Sequence, residues 1–241
     1  MDMPPIPIPN AACPLCGEKV TLYFKDHWRR YFQCSQCTLV HVEPIQWPDA
    51  QAERAHYDLH DNRVDDPGYR AFLARLATPL LQRLTPGSEG LDFGCGPGPT
   101  LATMLREADH RVALHDVFFH PNPSAFERQY DFITATEVLE HLHRPRETLE
   151  RMWRCLKPGG WLGIMTRRLP KQAHFDRWHY RRDPTHVMFF AAATFRWLAE
   201  RWGAEIELIG EDVVIFRSEN LPSLDKASCK VENNISYNAM P

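Results

Sequence analysis

The chain has 241 residues, of which 44% are hydrophobic and 24% charged, with a formal net charge of −3. That is enough apolar material for one sizeable core and a small accessory module; it excludes a disordered chain and a strongly basic nucleic-acid binder, though not a local basic patch. The start, MDMPPIPIPN, lacks the basic and apolar runs of a secretory signal. Nowhere do roughly 18 apolar residues run together, so no transmembrane helix and no membrane partner are expected.

Residues 1–10 read as a Pro-rich mobile leader. Residues 11–42 hold Cys13-Pro-Leu-Cys16 and Cys34-Ser-Gln-Cys37, with β-prone runs (VTLYF, RRYFQ, TLVHV) between and after them. The spacing C-x2-C-x17-C-x2-C predicts a structural Zn2+ site in a small β zinc ribbon. Each CxxC offers two thiolates from a tight knuckle, and four thiolates leave no open position for catalysis. Metal binding supplies the folding energy that so small a module cannot gain from burial. Seven cysteines with two CxxC pairs suit a reducing, cytoplasmic setting better than a disulfide framework. Thioredoxin-like redox pairs would need a βαβ context that is missing here. Lys19, Lys25, Arg29 and Arg30 interleave with Tyr23, Phe24, Trp28, Tyr31 and Phe32. A nucleic-acid surface is one reading of that pattern; a ribbon packed on its enzyme is favoured, because Glu18 and Asp26 offset part of the charge.

Residues 43–66 read as a linker with one short helix in DAQAERAHYDLH. A helix over about 67–84 places Tyr69, Phe72, Leu73, Leu76, Leu80, Leu81 and Leu84 on one face. Strand and helix then alternate: strand GLDFGC, a helix from about Pro99 to Glu107, strands RVALHDV and YDFITAT, a helix through EVLEHL into RETLERMWRCL, a KPGG turn, and strand WLGIMT. Helix AATFRWLAERWG and strands AEIELIG and DVVIFRS, antiparallel, close the unit. The fold class is α/β, a Rossmann-like mostly parallel sheet with helices on both faces. The catalytic unit is expected over 67–217 and a polar tail over 218–241.

LDFGCGPG follows a strand and opens a helix, so Gly94, Gly96 and Gly98 allow a tight turn and close approach to a ligand. The dinucleotide fingerprint G-x-G-x-x-G/A is broken, its third position being Pro99. Asp92 precedes the loop, and a carboxylate there suits a ligand carrying an amino group. Asp116, at the end of the next strand, can accept hydrogen bonds from both hydroxyls of a ribose.

LDFGCGPG, YDFITATEVLEHL and LKPGGWLGIMT, in this order, resemble the class I S-adenosylmethionine-dependent methyltransferases, with the nearest likeness to the ubiquinone-biosynthesis type, over about residues 68–217. The resemblance implies that Asp92, Gly94, Gly96 and Gly98 line the methionine end of the cofactor and that Asp116 holds its ribose. One departure stands out. Only VFFHPNPSAFERQY separates Asp116 from Asp131, so the family's strand at one sheet edge is expected to be missing. Its acidic adenine contact then has no counterpart, and Phe118 and Phe119 either cover the adenine or pack in the core.

Glu137, Glu140 and His141 are expected on one face of a helix, with His186 of DPTHVMFF returning to the same crevice. The motif also resembles that of small-RNA 3′-terminal 2′-O-methyltransferases, which hold a metal on such residues. Three readings stay open: glutamates that support the site, which is favoured; a second divalent cation; and catalytic acid/base use of His141 or His186. In the segment TRRLPKQAHFDRWHYRRDPTHV, Arg167, Arg168, Lys171, Arg177, Arg181 and Arg182 are expected to overhang the crevice and grip an anionic substrate, with solvated arginines paired to surface acids as the competing reading. The function expected is methyl transfer to a small-molecule substrate, favoured over RNA. The rivals are an RNA methyltransferase and a non-enzymatic zinc-ribbon adaptor; a nicotinamide oxidoreductase is disfavoured by the glycine spacing.

Overall fold

The structure is a computed structural model that describes residues 12–58 and 63–219. The leader and nearly all of the tail, with Cys229, lie outside the described residues. Two sheets organise the rest. A six-stranded sheet has the order β5-β4-β6-β7-β10-β9. Its strands are β4 (Glu89–Phe93), β5 (Arg111–His115), β6 (Tyr130–Thr136), β7 (Leu156–Met165), β9 (Ala204–Ile209) and β10 (Val213–Ser218). β4 pairs in parallel with β5 and β6, and β6 with β7, whereas β10 runs antiparallel to β7 and β9. β5 is therefore an edge strand, with no further strand beyond it among the described residues, as the short connection after Asp116 predicts. That connection holds only a 3₁₀ turn, Pro123–Glu127.

Alternation along the strands fills both faces. Leu73, Leu76 and Leu80 of α2 (Pro67–Leu81) and Leu101 and Leu105 of α3 (Thr100–Glu107) pack with Val112, Phe132, Met165, Val213 and Ile215. The opposite face, from Leu91, Phe93, Ile133, Leu162 and Ile164, buries α4 (Pro145–Arg154) and α5 (Ala192–Trp202) through Leu149, Met152, Phe195 and Leu198. α5 ends at Gly203 in the left-handed conformation, as a helix C-terminus favours. KPGG, expected as a turn, instead lies inside β7. Tyr130 pairs with Leu156 and Phe132 with Trp161, so the extra residues are absorbed as a bulge. Gly160 fits there because a Cβ would sit 2.9 Å from the Lys157 carbonyl oxygen.

The second sheet, β1-β2-β3-β8, contains the cysteine ribbon: β1 (Val20–Lys25), β2 (Arg30–Cys34) and β3 (Val40–Val42). Its fourth strand, β8 (Met188–Phe189), comes from the far end of the chain and pairs antiparallel with β3. The ribbon core (Leu15, Tyr31, Leu39, Val40) is continuous with Phe175, Phe189 and Phe190 and with the α4 and α5 side of the large sheet. The linker helix α1 (Ala50–Tyr57) is capped by Asp49, which accepts from the Ala52 N–H at 2.8 Å. Among the described residues no helix is long and apolar enough to cross a membrane.

Candidate active site

The parallel strands end at a cavity of about 530 Å3. The glycine loop forms one wall. Gly94 has φ +69°, and a Cβ there would lie 2.3 Å from Val138 Cγ2, so both backbone conformation and space demand glycine. Its N–H donates to the His115 carbonyl at 2.7 Å. The Gly96 N–H donates to Asp116 Oδ2 at 3.0 Å, while Asp116 Oδ1 accepts from the Phe118 and Phe119 N–H groups at 2.9 and 3.0 Å. Asp116 thus ties the glycine loop to the turn after β5, and with Gly98, Phe118 and Phe119 it lines the cavity. Oδ1 has both acceptor sites filled, and Oδ2 keeps a second one for a ligand hydroxyl. Asp92 reaches the same cavity but is only 2% exposed, and accepts from the Thr134 hydroxyl at 2.8 Å. Burial raises its pKa to about 7.

The segment after β6 departs from the expected helix. Glu137 adopts φ +52°, Val138 is also non-helical, and only a 3₁₀ turn, Leu139–His141, follows. The reason is a partner on the neighbouring strand: the Glu137 N–H donates to the Met165 carbonyl of β7 at 2.8 Å, which continues the sheet one residue further instead of opening a helix. Glu137, Glu140 and His141 therefore do not share a helical face. Glu137 lines the cavity, whereas Glu140 is fully buried behind it. Glu140 accepts from the Thr166 hydroxyl at 2.8 Å and from the Tyr180 hydroxyl, which lies 3.3 Å from Glu137 Oε2. Tyr180 has one proton for two carboxyls. Glu137 Oε1 is buried with no hydrogen-bond partner among the described residues. Burial, then the Glu140 charge, pushes Glu137 up to about 9.

His141 and His186 do come together at the cavity, their rings 4.7 Å apart at 69°. His141 Nδ1 lies 3.1 Å from the Thr185 carbonyl and His186 Nδ1 2.7 Å from the Tyr180 carbonyl. A carbonyl only accepts, so each ring carries a proton on Nδ1, and when the ring is neutral the lone pair is on Nε2. Burial, then His186, pushes His141 down to about 3. Asp183 Oδ2 sits 3.9 Å from His186 Nε2 and 3.2 Å from His56 Nε2. Burial alone would raise Asp183; His186, Thr185 and His56 outweigh it and bring it to about 2. Glu140, His141 and His186 each offer a ligand atom within 4.8 Å of the others, a set from which Glu137 is absent.

The sequence reading missed the third wall. Glu53, His56 and Tyr57 of α1 face the cavity, and Tyr57 packs edge-on to His141 at 5.2 Å. Their spacing, i, i+3 and i+4, was the available signal for a shared polar face. Tyr180 and Asp183 were also missed as site groups, because their roles depend on the path of an irregular loop.

Three arginines of that loop, Arg168, Arg177 and Arg181, are engaged elsewhere, whereas Arg167 lies near enough to Glu137 for its charge to favour the carboxylate. Among the described residues, neither Lys nor Arg lines the cavity. Arg181 is 9% exposed, forms an ion pair with Asp26, donates to the Phe175 and Asp176 carbonyls at 2.8 and 2.7 Å, and lies over the Phe24 ring. Arg168 donates to the Val213 carbonyl at 3.0 Å, and Arg177 is exposed beside Asp176. The expected anionic grip is absent from this cavity because the loop's aromatic core, centred on Phe175, draws Arg181 inward as its buried cation.

At the ribbon, Cys13 and Cys37 Sγ are 3.6 Å apart and Cys16 and Cys34 Sγ 3.2 Å apart, with all four within 4.8 Å of one another and none in a disulfide. A tetrahedral zinc with bonds of about 2.3 Å requires sulfurs about 3.8 Å apart, so the donor set fits the ion. The Gln36 and Cys37 N–H groups point at Cys34 Sγ at 3.4 and 3.5 Å, as a knuckle does for a thiolate. Arg146 of α4 holds the first knuckle through the Leu15 carbonyl at 2.7 Å.

Comparison with solved structures finds a Burkholderia thailandensis 1,6-didemethyltoxoflavin-N1-methyltransferase with bound S-adenosylhomocysteine (16% identity, 81% of this chain, 98% of that chain, TM-score 0.47). It also finds an O-methyltransferase family protein from the same organism (14%, 69% and 62%, TM-score 0.46) and an S-adenosylmethionine-dependent methyltransferase from Thermotoga maritima (15%, 70% and 96%, TM-score 0.41). No curated protein matches the sequence. A model of the methyltransferase-domain family matches residues 66–209, more than half of the chain and all of the glycine loop, the β6–α4 segment and the His186 loop, and the chain belongs to that family.

Proposed function

We propose that the chain is an S-adenosylmethionine-dependent methyltransferase that acts on a hydroxyl or amine of a small molecule, with His186 as proton acceptor. The observation that carries the reading is that the Tyr180 carbonyl holds His186 Nδ1, which makes Nε2 the nitrogen available to a proton, on the same cavity as the glycine loop and Asp116. When bound, S-adenosylmethionine supplies a methyl group whose bond to sulfur breaks, with the pair staying on sulfur, as the bond to the acceptor forms. Gly94, Gly96 and Gly98 would allow close approach of that ligand, Asp116 Oδ2 would accept from a ribose hydroxyl, Phe118 and Phe119 would cover its adenine, and Asp92 would face its methionine end. His186 Nε2 takes the acceptor's proton, and the Asp183 carboxylate stabilises the resulting imidazolium. His141, pushed to about 3, stays neutral and orients the acceptor. The work of the site is alignment and exclusion of water. Structural Zn2+ on Cys13, Cys16, Cys34 and Cys37 completes the cofactor set.

A small molecule is favoured over RNA because the cavity wall carries carboxyls and histidines and, among the described residues, neither Lys nor Arg to meet phosphates. The anionic substrate suggested by the sequence loses its support for the same reason. A divalent cation on Glu140, His141 and His186 is the second reading, favoured by the proximity of their ligand atoms. Against it, both Glu140 oxygens already accept hydroxyl protons. The test is transfer of tritiated methyl from S-adenosylmethionine into a ribonuclease-treated small-molecule extract, with and without chelator. Chelator-insensitive labelling that falls at least 100-fold in His186→Asn is expected. Labelling that requires RNA, or that an added divalent cation restores after chelation, would replace this reading.

A further inference from the structure

Beside the Arg146 and Gln172 contacts with the Leu15 and Tyr23 carbonyls, several of the ribbon's polar contacts with the rest of the chain fall on one stretch, and it is the stretch that carries His186. The Arg29 guanidinium, at the tip between β1 and β2, donates to the Asp183 and His186 carbonyls at 3.0 and 3.1 Å and also to the Pro184 carbonyl. Three carbonyls of one tight turn thus meet a single planar cation, whose donors are fixed in a fork. The turn is closed locally as well: the Thr185 N–H donates to Asp183 Oδ1 at 2.8 Å and the His186 N–H to the Asp183 carbonyl at 3.3 Å. On the N-terminal side, Asp26 pairs with Arg181, and the Tyr31 hydroxyl lies 3.4 Å from the Arg181 carbonyl. On the C-terminal side, the Val42 N–H donates to the Val187 carbonyl at 2.9 Å, and β3 pairs with β8.

We infer that the cysteine ribbon is the positioning element of the acceptor wall, and that Arg29 is the residue through which it fixes the Asp183–His186 turn. The inference rests on the function proposed above for His186. The turn lies between two supports. From the methyltransferase side it receives the Glu140 carbonyl, which accepts the Val187 N–H at 2.8 Å, and from the ribbon side it receives Arg29. The Tyr180 carbonyl that sets the His186 tautomer belongs to the same stretch. Release of the Arg29 side would let the turn open and the imidazole lose its Nδ1 partner while the glycine loop stays intact. The geometry also engages two of the four basic residues that a nucleic-acid surface on this ribbon would use. Arg29 is engaged by carbonyls, and Arg30 is paired with Glu43 and fixed at its N–H by Gln46 at 2.9 Å. The zinc site acts at a distance here: it holds β1, β2 and β3 in register and so holds Arg29.

The test uses the full chain loaded with zinc, with Arg29→Ala and the conservative Arg29→Lys. Long-range nitrogen spectra of the histidine rings report the tautomer, amide hydrogen exchange reports the turn, and S-adenosylhomocysteine binding and zinc content serve as controls. In the wild type, His186 is expected as the Nδ1–H tautomer. In Arg29→Ala, the ring signals should average between tautomers and exchange at Thr185 and Val187 should rise at least tenfold, with zinc content and S-adenosylhomocysteine affinity within twofold of wild type. Arg29→Lys should fall between the two. Unchanged His186 ring signals and exchange in a folded Arg29→Ala protein would overturn the inference. Failure of the wild type to bind S-adenosylhomocysteine would count against the methyltransferase reading instead, and is read separately.

Discussion

Glu137 offers the sharpest test of the buried electrostatics. Its side chain hangs from a residue held at φ +52° and shares the Tyr180 hydroxyl with Glu140, which leaves Oε1 without a hydrogen-bond partner among the described residues. Burial, followed by the Glu140 charge, raises its pKa to about 9, so the folded protein keeps Glu137 protonated at neutral pH. An unfolded chain releases that proton near pH 4.3. Stability from this group is thus complete below about pH 4.3 and is lost as pH rises towards the folded value. At about 1.36 kcal/mol per pH unit, the ceiling of the cost at pH 7 is roughly 3.7 kcal/mol. Glu137→Gln keeps the shape without the proton cost. Since the amide also forgoes part of the Tyr180 hydrogen bond, a net gain of about 1–2 kcal/mol at pH 7 is expected. Denaturant unfolding of both proteins at pH 4.5, 7 and 8 should show the gain growing with pH and turning into a loss at the lowest, where only the forgone hydrogen bond counts. Equal stability, or a loss independent of pH, would refute the assignment of a neutral Glu137.

Three further outcomes follow from the same geometry. Arg181→Ala should destabilise the fold by about 3 kcal/mol, since it leaves Asp26 unpaired in a partly buried site, and a normal unfolding midpoint with an altered substrate KM would restore the substrate-grip role denied above. His141, held at about 3 by burial and then by His186, stays neutral while the unfolded chain takes up a proton near pH 6.5. Stability is therefore full above about pH 6.5 and falls as the solution is acidified towards 3, and His141→Gln should flatten that limb of a melting-temperature profile. Elemental analysis after dialysis should find one zinc per chain, released in Cys34→Ser with a lower melting temperature; thiol counting that finds disulfides would contradict the ribbon assignment.

Local regularity explains what could be read in the sequence. Leu73, Leu76 and Leu80 mark α2 by period, and Leu91, Ile133, Leu162 and Val214 mark buried strands. The two CxxC pairs carry their geometry in their spacing, and the short connection after Asp116 forbids another edge strand by length alone. The glycine loop was legible because φ +69° and the contact with Val138 admit only glycine at position 94. What failed depended on partners far away in sequence. EVLEH has helical spacing, yet the Glu137 N–H finds the Met165 carbonyl and the helix does not start. Arg181 looks like a surface cation until Phe24, Tyr31 and Asp26 of the ribbon are placed around it. The union of β8 with the ribbon is a pairing across nearly 150 residues that no local pattern announces.

The central claim is that the cavity bounded by the glycine loop, Asp116 and His186 binds the methyl donor, and isothermal calorimetry with S-adenosylhomocysteine tests it most directly. One molecule should bind per chain, and Asp116→Ala, which removes the ribose acceptor, should weaken binding about tenfold, or about 1.4 kcal/mol. Absence of binding heat across a range of temperatures, with the wild-type protein folded and its zinc in place, would contradict the account.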